Sequence, residues 1–316
     1  MKVLVTGAAG FLGHRLVSAL LAEPPGLSPV THVVAADRFP CGLDDSRLEE
    51  RVGSIEDAAF VEQILGADVD LVFHLAAVLS GEAESDFDRG VRVNVDATRL
   101  MLERCRRHRS APRFVFASTI AVFGGPLPDV VPDDMVLRPQ SSYGTEKAIA
   151  ELLVAEYARK GFVDGLACRL ATVAVRPGAP NSALSSFVSG IIREPVAGVP
   201  SVCPVPLDTR LWISAPGTVI GNLLHAGTVP TARLGACRAF TLPGLTTTPA
   251  EMLDSLERHS GTEARGRVHC EVDAALSRVV CSWPGAFDTR HALSLGFTGD
   301  ESVDAIVGEY CVMPDA

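Results

Sequence analysis

Three glycines at every third position, in Thr6-Gly7-Ala8-Ala9-Gly10-Phe11-Leu12-Gly13, follow the apolar run Val3-Leu4-Val5 and open a helical spacing through Phe11, Leu12, Leu16, Leu20 and Leu21. The pattern predicts a strand, a tight turn and a helix. Glycine lets the turn close, lets backbone approach a pyrophosphate, and lets the helix pack closely on the strand. Amides at the helix start have no partner within the helix and so face any anion placed there. Gly7, Gly10, Phe11, Leu12 and Gly13 are therefore expected to cradle a dinucleotide, although G-x-x-G-x-x-G differs from the more widespread fingerprint. A second buried run, His32-Val33-Val34-Ala35-Ala36, ends at Asp37, where a carboxylate can accept both adenosine ribose hydroxyls and repel a 2′-phosphate. That favours NAD, while Arg38 leaves NADP open because a guanidinium there can bind the phosphate.

Further apolar runs at Leu71-Val72-Phe73-His74-Leu75, Phe114-Val115-Phe116 and Leu166-Ala167-Cys168 alternate with helical patterns near 58–65, 91–105 and 148–157. Strands alternating with helices predict an α/β fold, a doubly wound parallel sheet of the Rossmann type over residues 1–171, with ligands beyond the carboxyl ends of its strands. Leu75, Ala76 and Ala77 leave backbone open to a cofactor at one such end. His74 reads as a packing residue. From about Thr172 the chain changes: Pro177, Gly178, Pro180, Pro195, Pro200, Pro204 and Pro206 interrupt short segments. Residues 172–316 are expected to form mainly a smaller substrate-binding lobe, with some segments returning to the first domain.

Tyr143-Gly144-Thr145-Glu146-Lys147 places a phenol and an ammonium on one helix face. A phenol with a pKa of about 10 needs a downward shift of roughly 3 units, about 4 kcal/mol, to take an alcohol proton near neutrality. Lys147 and a positively charged nicotinamide, close and poorly screened, can supply it. Tyr143 and Lys147 are thus candidate catalytic and cofactor-binding residues.

With 316 residues, 47% of them hydrophobic, the chain can bury one large domain or a domain with a smaller lobe. A formal charge of -10 without a long basic run argues against nucleic acid. The eight cysteines (Cys41, Cys105, Cys168, Cys203, Cys237, Cys270, Cys281 and Cys311) show no metal-ligand spacing and read as reduced thiols, mostly buried, so no metal is expected. The start of the chain leaves no room for a signal peptide, and no apolar stretch is long enough to span a bilayer. A cytoplasmic protein with no membrane partner is expected.

The glycine loop at Gly7 to Gly13, His74-Leu75-Ala76-Ala77, Asn94, Ser118-Thr119 with Phe123-Gly124, Tyr143 with Lys147, and Arg169 followed by Pro177-Gly178 together resemble the extended short-chain dehydrogenase/reductase family. The likeness covers nearly the whole chain. It implies Tyr143 as general base or acid, Lys147 on the nicotinamide ribose, and Thr119, with its neighbour Ser118, holding the reacting oxygen. It also implies cofactor contacts at Ser54, Ile55 and Asn94, with Asn94 steadying a water or backbone segment behind the lysine, and a homodimer paired through the helices that carry Asn94 and Tyr143. Two positions depart from the family pattern: Phe123 stands where tyrosine is usual, and Ser54 where an aspartate often contacts adenine. Neither departure removes a catalytic group. Within the family, the stretch Arg176 to Asn181, Ser185-Ser186-Phe187 and Gly190 to Pro195 is most similar to an enzyme that oxidises the 2-hydroxyl of a four-carbon sugar acid with NAD. A carboxylate leaving water needs a cation, and Arg176, Arg193 and Arg210 all lie in the lobe, one of them expected to contact the acid. Asn181, Ser185 and Ser186 are candidates for the sugar hydroxyls, and Trp212 for a pocket wall or a core residue. Two other readings stay open: a nucleotide-sugar epimerase, which uses the same Tyr and Lys, and a non-catalytic NAD-binding regulator. Ile120-Ala121 after Thr119, in place of an acidic pair, argues against a dehydratase.

Overall fold

In the computed structural model, which describes residues 1–108 and 110–312, the chain opens with β1 (Lys2–Thr6), α1 (Phe11–Leu21), β2 (His32–Asp37), β3 (Leu48–Val52), α2 (Ala58–Ile64) and β4 (Leu71–His74). Two short helices, α3 (Ser80–Ser85) and α4 (Phe87–Gly90), lead through a π-helical turn (Val91–Asp96) into α5 (Ala97–Cys105). Then come β5 (Arg113–Thr119), a 3-10 turn (Ile120–Val122), α6 (Ser142–Arg159) and β6 (Asp164–Leu170). The second half is more broken: β7 (Thr172–Val173), α7 (Ser186–Val196), β8 (Ser201–Cys203), β9 (Leu211–Ser214), α8 (Pro216–Ala226), α9 (Thr231–Leu234) and β10 (Ala239–Thr241). It ends with β11 (Leu245–Thr247), α10 (Pro249–Gly266), β12 (Val268–Cys270), α11 (Ala274–Val280), α12 (Arg290–Leu295) and α13 (Val303–Val312).

Seven strands form one sheet in the order β10-β6-β5-β4-β1-β2-β3, every neighbouring pair parallel. Successive residues of a strand point to opposite faces, so a sheet covered on both sides needs unbroken apolar runs. Val3 and Val5 accordingly enter a core with α1, α8 and α12, whereas Leu4 between them enters a second core with α2, α5 and α6. Strand order reverses at β1, which lies between β2 and β4 and is the switch point where this topology leaves a crevice.

Two strands of this sheet differ from the pattern that the apolar runs predict. β3, Leu-Glu-Glu-Arg-Val, has only one neighbour and a mostly exposed surface, and an edge strand of that kind carries charge in place of apolar alternation. β10 comes from the second half of the chain and adds beside β6. α8 and α12 cover the large sheet, and α7, α10 and α13 build a third core, in which Ile191 and Ile192 of α7 meet Leu253 and Leu256 of α10 and Ile306 and Val307 of α13. Two small sheets, β11-β9-β7 and β12-β8, flank it.

Trp212 is a core residue: it is buried, its ring centroid lies 5.4 Å from that of Phe287, and it packs in the same cluster as Phe123. The cysteines are all unpaired, but the expectation that most are buried is corrected. Only Cys105, Cys168 and Cys203 are buried; Cys237, in the loop between α9 and β10, Cys270, at the end of β12, and Cys281, just after α11, are exposed. Among the described residues no helix is long and apolar enough to cross a membrane.

Candidate active site

A cleft of about 610 Å³ runs across the carboxyl ends of β1, β2, β4 and β5 and continues under the second half of the chain. Gly7, with φ of +74°, makes the turn out of β1, and a Cβ there would stand 2.8 Å from the Ala76 amide nitrogen. A Cβ on Gly13 would come within 1.9 Å of the Gly7 carbonyl oxygen, so only glycine lets α1 start this close to the turn. Gly10 caps α1 without a side-chain hydrogen bond, leaving the first amides of the helix to the cleft, where Phe11, Leu12 and Gly13 form the wall. Asp37 lies on the same wall; one carboxylate oxygen accepts from the Ala9 amide at 3.0 Å and the other from the Arg38 amide at 2.6 Å. Arg38 is exposed beside it. Ser54, Ile55, Leu75, Ala76 and Ala77 complete this end. An uncapped helix start, a glycine turn with no room for a Cβ and a carboxylate at the end of β2 fit a dinucleotide's pyrophosphate and ribose.

Asn94 does not reach the cleft. It is buried behind the wall, where its Oδ1 accepts from the Val78 amide at 2.9 Å and its Nδ2 donates to the Val78 carbonyl at 3.1 Å. Asn94 is thus set back from the cleft lining, and it holds a cleft-lining backbone segment, the other role that the resemblance implied. His74 is buried between the hydroxyls of Thr6 and Thr98, at 2.7 and 3.0 Å. Burial first, then the charge of Lys147, pushes it down to about 3, so it stays neutral as a packing residue.

Thr119, Tyr143 and Lys147 all line the cleft. They meet because α6 starts against the 3-10 turn that follows Thr119: a Cβ on Gly144 would lie 2.2 Å from the Ala121 carbonyl oxygen, and Ser141 caps the helix through the Gly144 amide at 3.1 Å. The Thr119 hydroxyl oxygen accepts from the Ala121 amide at 3.1 Å, which leaves its hydrogen to donate. Ser118 reaches the wall too, but its hydroxyl donates to buried Glu151, itself paired with Arg169 at 2.9 Å. Neighbouring strand residues face opposite sides, and this one faces the core under α6.

Lys147 donates to the Ala117 carbonyl at 2.9 Å and lies 5.7 Å from the centre of the Tyr143 ring. Burial lowers its pKa to about 8 against the opposing charges of Glu146 and Glu151. Tyr143 moves the other way: burial, and then Glu146, raises the phenol above its ordinary value. Within the chain's own field, the shift is opposite in sign to the one expected from Lys147.

At the far end, Arg176, Asn181, Ser185 and Ser186 line the cleft. Arg193 does not: one of its nitrogens donates to the Arg176 carbonyl at 2.9 Å and another to Glu194 at 2.6 Å, so it supports Arg176 from behind. Arg210 is exposed and outside the cleft, because it ends the loop before β9 on the side packed against Gly285. Sequence reasoning missed Ser80, Glu82 and Arg89 from α3 and α4, and Val279 and Trp283 from the region of α11. No motif marks them. The salt bridge between Arg89 and Glu82, at 2.5 Å, sits in that wall.

Residues 3–209 match the model of the NAD dependent epimerase/dehydratase family. The chain is 47% identical to D-erythronate dehydrogenase from Cupriavidus necator, over 100% of this chain and 99% of that one. It is 39% identical to D-erythronate dehydrogenase from Haemophilus influenzae, over 98% of each. The crystal structure of the nucleoside-diphosphate-sugar epimerase from Agrobacterium tumefaciens superposes with a TM-score of 0.91 at 38% identity, covering 97% of this chain and 92% of that one. With its glycine turn, Asp37 and Tyr143-Lys147 helix gathered on one cleft, the chain belongs to the NAD dependent epimerase/dehydratase family, an enzyme of the NAD-dependent CH–OH dehydrogenase type.

Proposed function

We propose that the protein oxidises the 2-hydroxyl of D-erythronate to the 2-oxo acid, with Tyr143 as general base. The observation that carries this reading is one continuous cleft: Thr119, Tyr143 and Lys147 lie between the glycine turn and Arg176, in a chain similar over its length to two D-erythronate dehydrogenases. NAD, when bound, supplies the hydride acceptor and a positive ring that, added to Lys147, offsets the upward push on the phenol. The Thr119 hydroxyl donates to the reacting oxygen and fixes its direction. Tyr143 takes the hydroxyl proton as the C2–H bond breaks and the C2–O bond becomes a carbonyl. Lys147, anchored on the Ala117 carbonyl, holds its charge next to the phenol. Arg176 pairs with the carboxylate, and Asn181 and Ser185 take the remaining hydroxyls.

The reading extends to assembly and place. Ile149 and Leu152 are exposed on α6, 41% and 67%, and a second copy packed on that face covers them. Residues 1–171 act as the NAD-binding domain and 172–316 mainly as the substrate lobe. The unpaired cysteines fit a reducing compartment, the cytoplasm.

The test is NADH formation followed by absorbance with D-erythronate and a panel of C4 to C6 aldonates. D-erythronate is expected to be the preferred substrate. Tyr143→Phe is expected to lower kcat by about 10³-fold while NAD affinity is kept; a variant that retains most of its turnover rejects Tyr143 as the base. The likeness to a nucleoside-diphosphate-sugar epimerase supports a second reading, in which the cofactor stays bound and no net NADH appears. Cofactor binding without turnover on either substrate class points to a regulator.

A further inference from the structure

We propose that Glu146 is a positioning residue of this dehydrogenation: it ties the helix carrying Tyr143 and Lys147 to the backbone that floors the cleft, and holds a negative charge beside both. The proposal rests on the reading of Tyr143 as base. Glu146 is only 2% exposed, and its Oε2 accepts from Asn94 Nδ2 at 2.6 Å. Asn94 in turn holds both the amide and the carbonyl of Val78, which lines the cleft. One hydrogen-bonded chain thus runs from α6, through the π-helical turn, to the segment after β4.

The carboxylate is more than this link requires. Its Oε1 has no hydrogen-bond partner among the described residues, and it occupies the space beside Gly90, where a Cβ would come within 2.2 Å of it. A neutral amide of the same length can also accept from Asn94, more weakly than a carboxylate but without stranding a charged oxygen. The link to Asn94 does not by itself call for a carboxylate, and the charge is what sets Glu146 apart from an amide here. Burial raises the Glu146 carboxyl above its ordinary value, with Asn94 and Lys147 opposing that shift; ionised, it raises the phenol of Tyr143 and supports the protonated form of Lys147 against burial. The other charged or titratable groups that act here are Glu84 of α3, which faces Glu146, Glu151 of α6, which faces Lys147, and neutral His74 of β4. Gly90 at the end of α4 and Asn94 in the π-helical turn bring no charge.

Glu146→Gln and Glu146→Ala are to be compared with the parent protein for melting temperature, NAD affinity and log(kcat/KM) against pH. In the Gln variant, melting temperature is expected to hold or rise, and both limbs of the pH profile to move to lower pH by about 0.5 to 1 unit, because losing the charge lowers the pKa of Tyr143 and of Lys147 alike. Glu146→Ala loses the link as well, and kcat is expected to fall about tenfold further. A profile that stays in place in the folded variants while melting temperature drops, or a Gln variant that does not fold, assigns Glu146 to the fold alone and overturns the proposal. Failure of the underlying reading has a different signature, full turnover by Tyr143→Phe.

Discussion

The two ends of the cleft are built in opposite ways. Toward Gly7 the wall is largely backbone and small side chains at the ends of three adjacent strands, and its shape depends on atoms that are missing, the Cβ atoms of Gly7 and Gly13. Toward Arg176 it is made of longer side chains from α3, α4, the loop before α7 and the region of α11, distant from one another in sequence. A pyrophosphate needs amides at fixed positions, which only backbone supplies, whereas a substrate is told apart by charge and reach. Substitutions at the first end should damage fold and cofactor binding together, and substitutions at the second should change substrate kinetics alone.

Gly13→Val sharpens that contrast most. Its Cβ would overlap the Gly7 carbonyl, backbone against backbone, so α1 must shift off the turn. A loss of about 3 kcal/mol in stability is expected in thermal or urea unfolding, with NAD affinity lost in the folded fraction. Near-parent values for both would mean that the turn adapts, and the contrast between the two ends would break.

Arg176→Gln is the matching substitution at the other end. Removing one charged partner of a carboxylate costs about 2 kcal/mol, so KM for the sugar acid is expected to rise about 30-fold, with KM for NAD and melting temperature unchanged. A rise in KM for NAD of similar size would show that the guanidinium serves the cofactor.

Lys147 belongs to the junction of the two ends. Its folded pKa of about 8 is below its value in an unfolded chain, so the native state binds the proton less tightly. Stability is therefore lowest below pH 8, where the buried ammonium is fully charged, and rises with pH between about 8 and the unfolded value. Lys147→Met is expected to remove that slope and to gain about 1 to 2 kcal/mol at neutral pH, less than the shift alone implies because the Ala117 carbonyl loses its donor, while turnover is lost. Urea unfolding at pH 7 and pH 10 measures both.

What the sequence makes legible follows the same division. Glycine spacing, a carboxylate ending β2 and a Tyr-Lys pair four apart are local patterns, and each corresponds to a local piece of backbone on the cleft. The strands buried on both faces announce themselves as apolar runs, while β3, exposed at the edge, does not. Ser118 and Thr119 cannot be separated by composition, because which of two adjacent strand residues faces the core depends on register; the family resemblance favours Thr119 by its distance from Phe123-Gly124, and Glu151, 33 positions downstream, takes the Ser118 hydroxyl. Trp283 and Arg89 join the site through tertiary packing and carry no pattern of their own.

The arginines make the point at its smallest scale. By sequence Arg176, Arg193 and Arg210 are equivalent, three cations in a lobe that must hold an anion. Their surroundings separate them: the first faces the cleft, the second is buried with its donors spent on the Arg176 carbonyl and Glu194, and the third is in solvent. Arg193→Ala strands Glu194 and loosens the backbone under Arg176, so it should lower stability and raise KM indirectly. Arg210→Ala should do neither, with stability within about 0.5 kcal/mol of the parent and kinetics unaltered. Were Arg210→Ala instead to raise KM for the acid while Arg176→Gln did not, the lobe would have to move over the substrate far enough to bring Arg210 into the cleft, and the end that looks loosely specified in sequence would be the mobile one in catalysis.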